Sequence, residues 1–352
     1  MLFRSRSVGN LGSAYLRLRL FHDAITCSWQ SIAICRETGD RHGESMALNT
    51  IGAAHLALRE FREAIARLQG SLAIKREVED RRGESGTLGN LGCAYLEMSR
   101  LQEAVGCFED SLAICQEIGD LRGEGLTLSN LGKVYLELRR HQEAISCLRS
   151  SLAIFQEVGD RYAQGPALNH LACVYMETRR FEEALCCLVD SLAIYRETRD
   201  RHGEAMALHN LGRFHQELRR PDEAIGCYLD SLAIRRELED RHGEGGTLLN
   251  LGDAYEELRQ FKEAIWCCRE SVTIFRETGD RRGEGEALAN LGNAYRRMRM
   301  LDRAAICWRY AADAMRDSRD EAAAVTLELQ AANAGSRQRR RRRLRPGDAR
   351  QV

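Results

Sequence analysis

Nearly all of this chain is one 40-residue unit written again and again. The stretch from Asp120 to Gly159 reads DLRGEGLTLSNLGKVYLELRRHQEAISCLRSSLAIFQEVG, and the same register begins again at Asp40, Asp80, Asp160, Asp200, Asp240 and Asp280 with no insertion or deletion. Such a period restricts the fold to an array in which each copy stacks on the next. Chain length then sets the number of copies and not the size of a central core.

Within the unit, Leu128, Leu131, Val134, Tyr135 and Leu138 recur at gaps of three and four, the stripe of an amphipathic helix. Ala144, Ile145, Leu148, Leu152, Ile154 and Phe155 mark a second helix, and a polar segment from Arg139 to Gln142 separates the two. Each copy is therefore expected to be an antiparallel helical hairpin. Asp120 stands where its carboxylate can accept from the unpaired N–H groups of the first helix. Gly159 stands where a left-handed residue closes the second. Only Gly39, Gly119, Gly159 and Gly279 fill that place, so the remaining copies are expected to end less cleanly.

Small residues also form columns. Ala24, Ala64, Ala104, Ala144, Ala184, Ala224, Ala264 and Ala304 share one place; Gly12, Gly52, Gly92, Gly132, Gly212, Gly252 and Gly292 share another, with Ala172 the departure. Glycine inside a helix costs about 1 kcal/mol against alanine. Its repeated use predicts a close approach of the two helices of each hairpin.

Leu131, Gly132, Tyr135 and Ala144 match in spacing the signature of the tetratricopeptide repeat, and the chain resembles that family over roughly residues 7 to 318. The unit departs from it in being longer than the usual ~34 residues. A longer second helix, SLAIFQE, replaces the late Pro, and Arg139 stands where Gly is usual between the helices. This long form is similar to the arrays of kinesin light chains, spindle-orientation adaptors and the sensor arms of actinobacterial regulators. The resemblance implies an all-α, right-handed superhelical solenoid of antiparallel helix hairpins. Residues 1–318 are expected to hold eight repeats, the first truncated, 319–334 a capping helix and 335–352 a disordered Arg-rich tail.

The 352-residue chain has three prolines, no strand-like alternation and no apolar run long enough to span a membrane. No signal-peptide core is present at its start, and a cytoplasmic location is expected. Arg outnumbers Lys 49 to 3, the codon signature of a GC-rich bacterial genome. MLFRSRSVGNLGSAYL enters the repeat partway through a first helix. That start fits either a trimmed cap or the tail of a longer protein, and it predicts an uncovered apolar surface over 8–20. Copy five carries Pro166 inside a first helix, which predicts a late start or a kink; with His170 and Ala172 it marks a candidate hinge or special binding position, or drift in a tolerant repeat. Pro221 falls at a helix start, where Pro is harmless. The last 18 residues hold eight Arg and one Asp, a charge of +7, so the preceding 334 carry −7 and the formal zero conceals an acidic array with a basic tail.

Catalytic chemistry finds no support. Seven of the 13 cysteines form one column, Cys27, Cys107, Cys147, Cys187, Cys227, Cys267 and Cys307. Stacked helices stand about 10 Å apart, beyond the roughly 7 Å reach of a disulfide, and no C-x-x-C occurs. Small buried residues at helix contacts explain the column. The nine His form no H-E-x-x-H and no triad, and His42, His202 and His242 read as solvated helix starts. There is no P-loop; Gly132-Lys133 is followed by Val134. Glu44, Glu84, Glu124, Glu204, Glu244 and Glu284 recur with the repeat, whereas a catalytic site would appear once. No catalytic residue, metal site, cofactor or small-molecule substrate is expected.

Two polar columns point to binding. Asn10, Asn90, Asn130, Asn210, Asn250 and Asn290 share a place in the first helix, with Thr50 and His170 as exceptions. Asn is a mediocre helix former, so its repeated use requires a reason. In the family the first helices line a concave groove, and the resemblance implies a ladder of amides there able to hold an extended peptide backbone. The alternative is that each Asn bonds its own neighbours to fix packing. One turn on, Glu97, Glu137, Glu177, Glu217 and Glu257 either select a basic ligand or pair with Arg100, Arg140, Arg180 and Arg220 three residues later. The run Arg339, Arg340, Arg341, Arg342 and Arg343 either binds nucleic acid or an anionic membrane by charge, folds back on the acidic array, or is a solvated tail; no aromatic interleaves it to stack on bases. The expected function is a non-catalytic scaffold for a protein or peptide partner. The alternatives are a detached sensing arm of a multidomain signalling regulator and nucleic-acid binding through the tail.

Overall fold

The structure is a computed structural model that describes residues 2–318 and 320–343, with side chains for 9–318 and 320–334. The described residues form 17 helices and no strand. The first helices of the copies are α1 (Leu2–Arg17), α3 (Arg41–Ala57), α5 (Arg81–Glu97), α7 (Leu121–Glu137), α9 (Arg161–Glu177), α11 (Arg201–Glu217), α13 (Arg241–Glu257) and α15 (Arg281–Arg297). The second helices are α2 (Phe21–Thr38), α4 (Phe61–Glu77), α6 (Leu101–Ile118), α8 (His141–Glu157), α10 (Phe181–Glu197), α12 (Pro221–Glu237), α14 (Phe261–Thr278) and α16 (Leu301–Asp317); α17 (Glu321–Arg343) follows. This is the all-α array of hairpins that the period predicts. The chain divides into two compact units, Met1–Cys187 and Leu188–Val352, the division falling inside α10.

The repeated Asp starts each first helix from α3 to α15. Asp40 accepts from the Gly43 amide at 2.8 Å, Asp120 from Gly123 at 3.0 Å and Asp280 from Gly283 at 2.9 Å, satisfying an amide that has no partner within the helix. Asp160 does the same for Ala163 at 3.0 Å, so α9 begins at Arg161 and runs through Pro166. The late start expected there does not occur. Pro221 opens α12, as its place predicts.

Helix ends differ from expectation. Gly39, Gly119, Gly159 and Gly279 are left-handed, but so are Glu79, Arg199 and Glu239 at the same place, with φ of 56°, 55° and 55°. The amide of the following Asp closes the turn in both kinds: Asp40 on the Cys35 carbonyl at 2.8 Å, Asp80 on Lys75 at 2.9 Å. The second helices from α2 to α14 end alike because this turn must feed Asp into the next cap, and side chains are forced into a conformation that glycine adopts freely. The first helices end the same way at Arg139, φ 59°, and its equivalents.

The apolar stripes meet inside the hairpins. Leu131, Val134, Tyr135, Ala144, Leu148 and Phe155 are buried, while Leu138, Leu152 and Ile154 are half-buried. A Cβ on Gly132 would stand 2.5 Å from Leu148 Cγ, and one on Gly52 2.6 Å from Leu68 Cγ. The glycine column therefore marks the close approach expected of it. From α1 to α9 in the first unit and from α11 to α17 in the second, each helix packs on its sequence neighbours. First helices also approach one another within 8 Å between Cα atoms (α1 on α3, α3 on α5, α5 on α7, α7 on α9; α11 on α13, α13 on α15), and second helices do so to no comparable extent. The first helices are thus the tighter-packed face of each unit.

The recurring Glu joins one copy to the next. Glu44 is buried and takes Arg36 of α2 and Arg41 of α3, each at 2.7 Å, and Arg41 reaches Glu77 of α4 at 2.6 Å. Glu84, Glu204, Glu244 and Glu284 repeat this clamp. It is incomplete at α6/α7, where Glu124 meets only Gln116, and absent at α8/α9, where Gln164 meets Arg161 and the Phe155 carbonyl. At the other end, Ala324, Leu327, Ala331 and Ala334 of α17 bury against Trp308, Ala312 and Met315 of α16. The helix passes residue 334 without a break; residues 344–352 lie outside the described residues. Leu11, Leu18 and Leu20 are exposed at the N-terminal end.

Candidate functional site

The Asn column lies in the first-helix layer, but its members are not equally available. Asn90 Nδ2 donates to Asn49 Oδ1 at 3.3 Å, Asn250 Nδ2 to His209 Nε2 at 3.1 Å and Asn290 Nδ2 to Asp253 Oδ1 at 2.5 Å. Each bond crosses to the preceding first helix, so these three amides fix the stacking of copies. Asn210 is buried, Asn10 exposed, and Asn130 and His170 half-buried. Among the described residues the side-chain oxygens of Asn90, Asn250 and Asn290 accept no bond. The packing role weighed for this column is thus filled by the amide nitrogens of Asn90, Asn250 and Asn290.

Beneath the ladder lie polar networks that the sequence reading did not find. Lys75 is buried and donates to Thr87 Oγ1 at 2.7 Å and the Gly83 carbonyl at 2.9 Å; Thr87 reaches Asn49, the partner of Asn90, at 3.2 Å. Burial lowers the Lys75 pKa. In the second unit Arg235 occupies the same place and pairs with Asp240 at 3.0 Å. His209 there is pushed down to about 3 by burial, then by the charges of Arg235 and Arg213. The imidazole is neutral, and since Asn250 donates to Nε2, the proton sits on Nδ1, 3.3 Å from Thr247 Oγ1. The signal was a basic residue at 75 and 235 where other copies have Cys, Phe, Tyr or Met.

Three residues past each Asn comes the most variable place in the first helix: Ser13, Ala53, Cys93, Lys133, Cys173, Arg213, Asp253 and Asn293. Lys133 lies 3.5 Å from Glu97, while Arg213 has no hydrogen bond or ion pair among the described residues. Asp253 is half-buried, and burial, followed by Glu256 and Glu257, pushes its carboxyl up to about 7. Cavities open beside these places. One of about 260 Å³ in the first unit is lined by Asn10, Ser13, Met46 and Thr50, among others. One of about 340 Å³ in the second unit is lined by His209, Arg213, Gly246, Asn250 and Phe275, among others.

The Glu column does not make the pairs expected of it. Arg100, Arg140 and Arg180 turn to Glu103, Glu143 and Glu183 at 2.6–3.0 Å and lie over Tyr95, Tyr135 and Tyr175 at 4.4–4.6 Å. Glu97, Glu177 and Glu257 instead meet Arg59, Arg139 and Arg219, the left-handed turn residues of the preceding copy, at 3.7, 2.9 and 3.9 Å. Glu137 and Glu217 have no cation among the described residues, Ser99 replacing the turn Arg that would serve Glu137.

The cysteines of the column form no disulfide among the described residues, with Cys187, Cys267 and Cys307 buried and the others half-buried. Burial pushes the thiols of Cys107 and Cys307 up to about 11 and of Cys267 to about 12, which makes them poor nucleophiles. His42, His202 and His242 approach the cap residues Asp80, Asp240 and Asp280 at 3.6–3.7 Å. Among the described residues no group of three His, Cys, Asp or Glu is placed to hold a metal, and no helix is long and apolar enough to cross a membrane. The side chains of Arg339 to Arg343 lie outside the described residues.

The family model for the tetratricopeptide repeat matches residues 4–77, 45–117, 123–197, 203–265 and 244–316. No curated protein matches the chain. Among solved structures, a Rap protein complexed with competence and sporulation factor is similar with a TM-score of 0.63 at 13% identity, over 95% of this chain and 98% of that one. BtubC from P. vanneervenii gives 0.53 at 20%, over 62% and 92%. A signal transduction ATPase with numerous domains and a tetratricopeptide repeat sensor, from Pyrococcus horikoshii, gives 0.57 at 14%, over 88% and 52%. At these identities the likeness is one of fold alone.

Proposed function

Because the chain belongs to the tetratricopeptide-repeat family, we propose that it is a non-catalytic scaffold that holds an extended segment of a partner protein along its first-helix face. One observation carries this reading: a cavity opens in each unit beside the Asn column, at Asn10 and Thr50 in one and at Asn250 in the other. The free oxygens of Asn90, Asn250 and Asn290 supply acceptors for backbone N–H groups. The variable residues three places on supply sequence preference. Glu97, Glu177 and Glu257 are occupied by turn arginines, which leaves Glu137 and Glu217 as the members of that column open to a basic ligand.

The test is a lysate pull-down with the intact chain beside one carrying Asn→Ala at 90, 130, 210, 250 and 290, with helicity and melting checked for both. Partners that disappear from a folded variant support the groove. Unchanged partners overturn it. A second reading, a sensing arm of a larger signalling regulator, draws on the fold similarity to the ATPase whose sensor is itself such an array. An in-frame P-loop in the DNA upstream of Met1 separates it from a stand-alone scaffold.

A further inference from the structure

The second unit carries two opposite charges that the protein itself does not match. Arg213 on α11 and Asp253 on α13 occupy the same place in consecutive copies. Arg213 has no ion pair or hydrogen bond among the described residues, and it stands on the wall of the 340 Å³ cavity. Asp253 has one neutral partner, Asn290, at 2.5 Å.

The surrounding charges are committed elsewhere. Glu256 takes Arg297 at 3.2 Å, and Glu257 has Arg219 at 3.9 Å and Gln216 at 3.3 Å. Glu286 takes Arg282 at 3.2 Å. Asp280 caps α15 through Gly283 and faces His242 at 3.7 Å. His209 is neutral. Residue 246 on the wall of this cavity is glycine, with no atom within 4 Å of where its Cβ would stand, whereas Met46 and Met206 occupy the same place in other copies.

We infer that this part of the groove reads a charge pair on the bound segment, an acidic side chain against Arg213 and a basic one against Asp253. The inference rests on the groove reading above. Packed first helices stand about 8–10 Å apart, and an extended chain advances about 3.3 Å per residue with its side chains alternating between two faces, so two side chains facing the same wall lie about two to four residues apart. Their order follows the direction of the segment. A mismatched segment leaves Arg213 facing a cation or Asp253 a second anion, so the pair sets specificity more than affinity.

Selection of peptides from a random 12-residue display library against the full chain tests this, with the five-site Asn→Ala variant as the groove control. The expected ligands are lost on that control and carry an acid and a base two to four positions apart in fixed order. In the exchanged variant Arg213→Asp with Asp253→Arg, verified by circular dichroism, the order reverses. The milder Arg213→Gln and Asp253→Asn each weaken a selected peptide about tenfold without unfolding the array, and Gly246→Met weakens it by closing the cavity. Groove-dependent peptides without a charge pair, or a pair whose order survives the exchange, overturn the inference and leave the groove standing. If no selected peptide depends on the groove, both fall.

Discussion

Asp253 holds its carboxyl near neutrality because α13 and α15 bury it beside Glu256, Glu257 and Glu286, with only Asn290 to oppose them. Its folded pKa of about 7 lies above the ordinary 3.8. Between those values the folded chain holds a proton that the unfolded chain releases, so stability falls as pH rises through that window and is level above it. Asp253→Asn keeps an acceptor for Asn290 and removes the charge. It should stabilise the protein by about 1–3 kcal/mol at pH 8, with the gain shrinking to nothing near pH 4; denaturant titrations at three pH values measure it. Gly132 is the opposite case. Gly132→Ala improves helix propensity by about 1 kcal/mol, yet its Cβ meets Leu148 Cγ at 2.5 Å. Overpacking should prevail, with a net loss of about 1–2 kcal/mol; a gain in stability would show that the hairpin relaxes freely.

At the scale of elements, the left-handed residues and the clamps can be changed one at a time. Glu79, Arg199 and Glu239 end second helices with φ near 55°. Replacing each by Gly should stabilise by about 0.5–1 kcal/mol, since the strain on an L-residue exceeds the extra chain entropy of glycine. The same change at Gly-ended α6 has no counterpart, which makes Gly119→Glu the matching loss. The junctions α6/α7 and α8/α9 lack the complete Arg–Glu–Arg clamp that joins their neighbours. Amides early in α7 and α9 should therefore exchange faster than those early in α5 and α13, as measured by hydrogen-exchange mass spectrometry. Installing Arg at 116 and 121 beside Glu124 should slow α7; equal exchange in all four helices would sink the idea that the clamp governs junction stability.

At the scale of the whole molecule, a stack of hairpins has no central core, and its last copy must be covered by something other than another copy. α17 does this through Ala324, Leu327, Ala331 and Ala334. Truncation after Ser318 should cost roughly 3 kcal/mol of burial on α16 and lower the melting temperature, with self-association as the exposed Trp308 and Met315 surface seeks a partner. A chain that melts unchanged without α17 would mean that the cap contributes no stability. The division into two units falls inside α10 of copy five, the copy in which the sequence places its candidate hinge at Pro166, although the period runs through it unbroken.

The sequence by itself determined the helical class, the hairpin, its 40-residue register, the Asp caps and the glycine contact, because each depends on residues close in the chain or on a column repeated many times. It also singled out the Asn column as polar where a helix has no need of polarity. Only the tertiary structure decided which partner each column meets. Glu97 reaches Arg59 of the previous copy and not Arg100, and Asn250 spends its amide on His209 while keeping its oxygen. These choices depend on how far one copy rises above the next, a distance that no single repeat encodes. The same holds for the left-handed Glu79 and Arg199, whose conformation is imposed by the stacking of the helices on either side and not by their own preference.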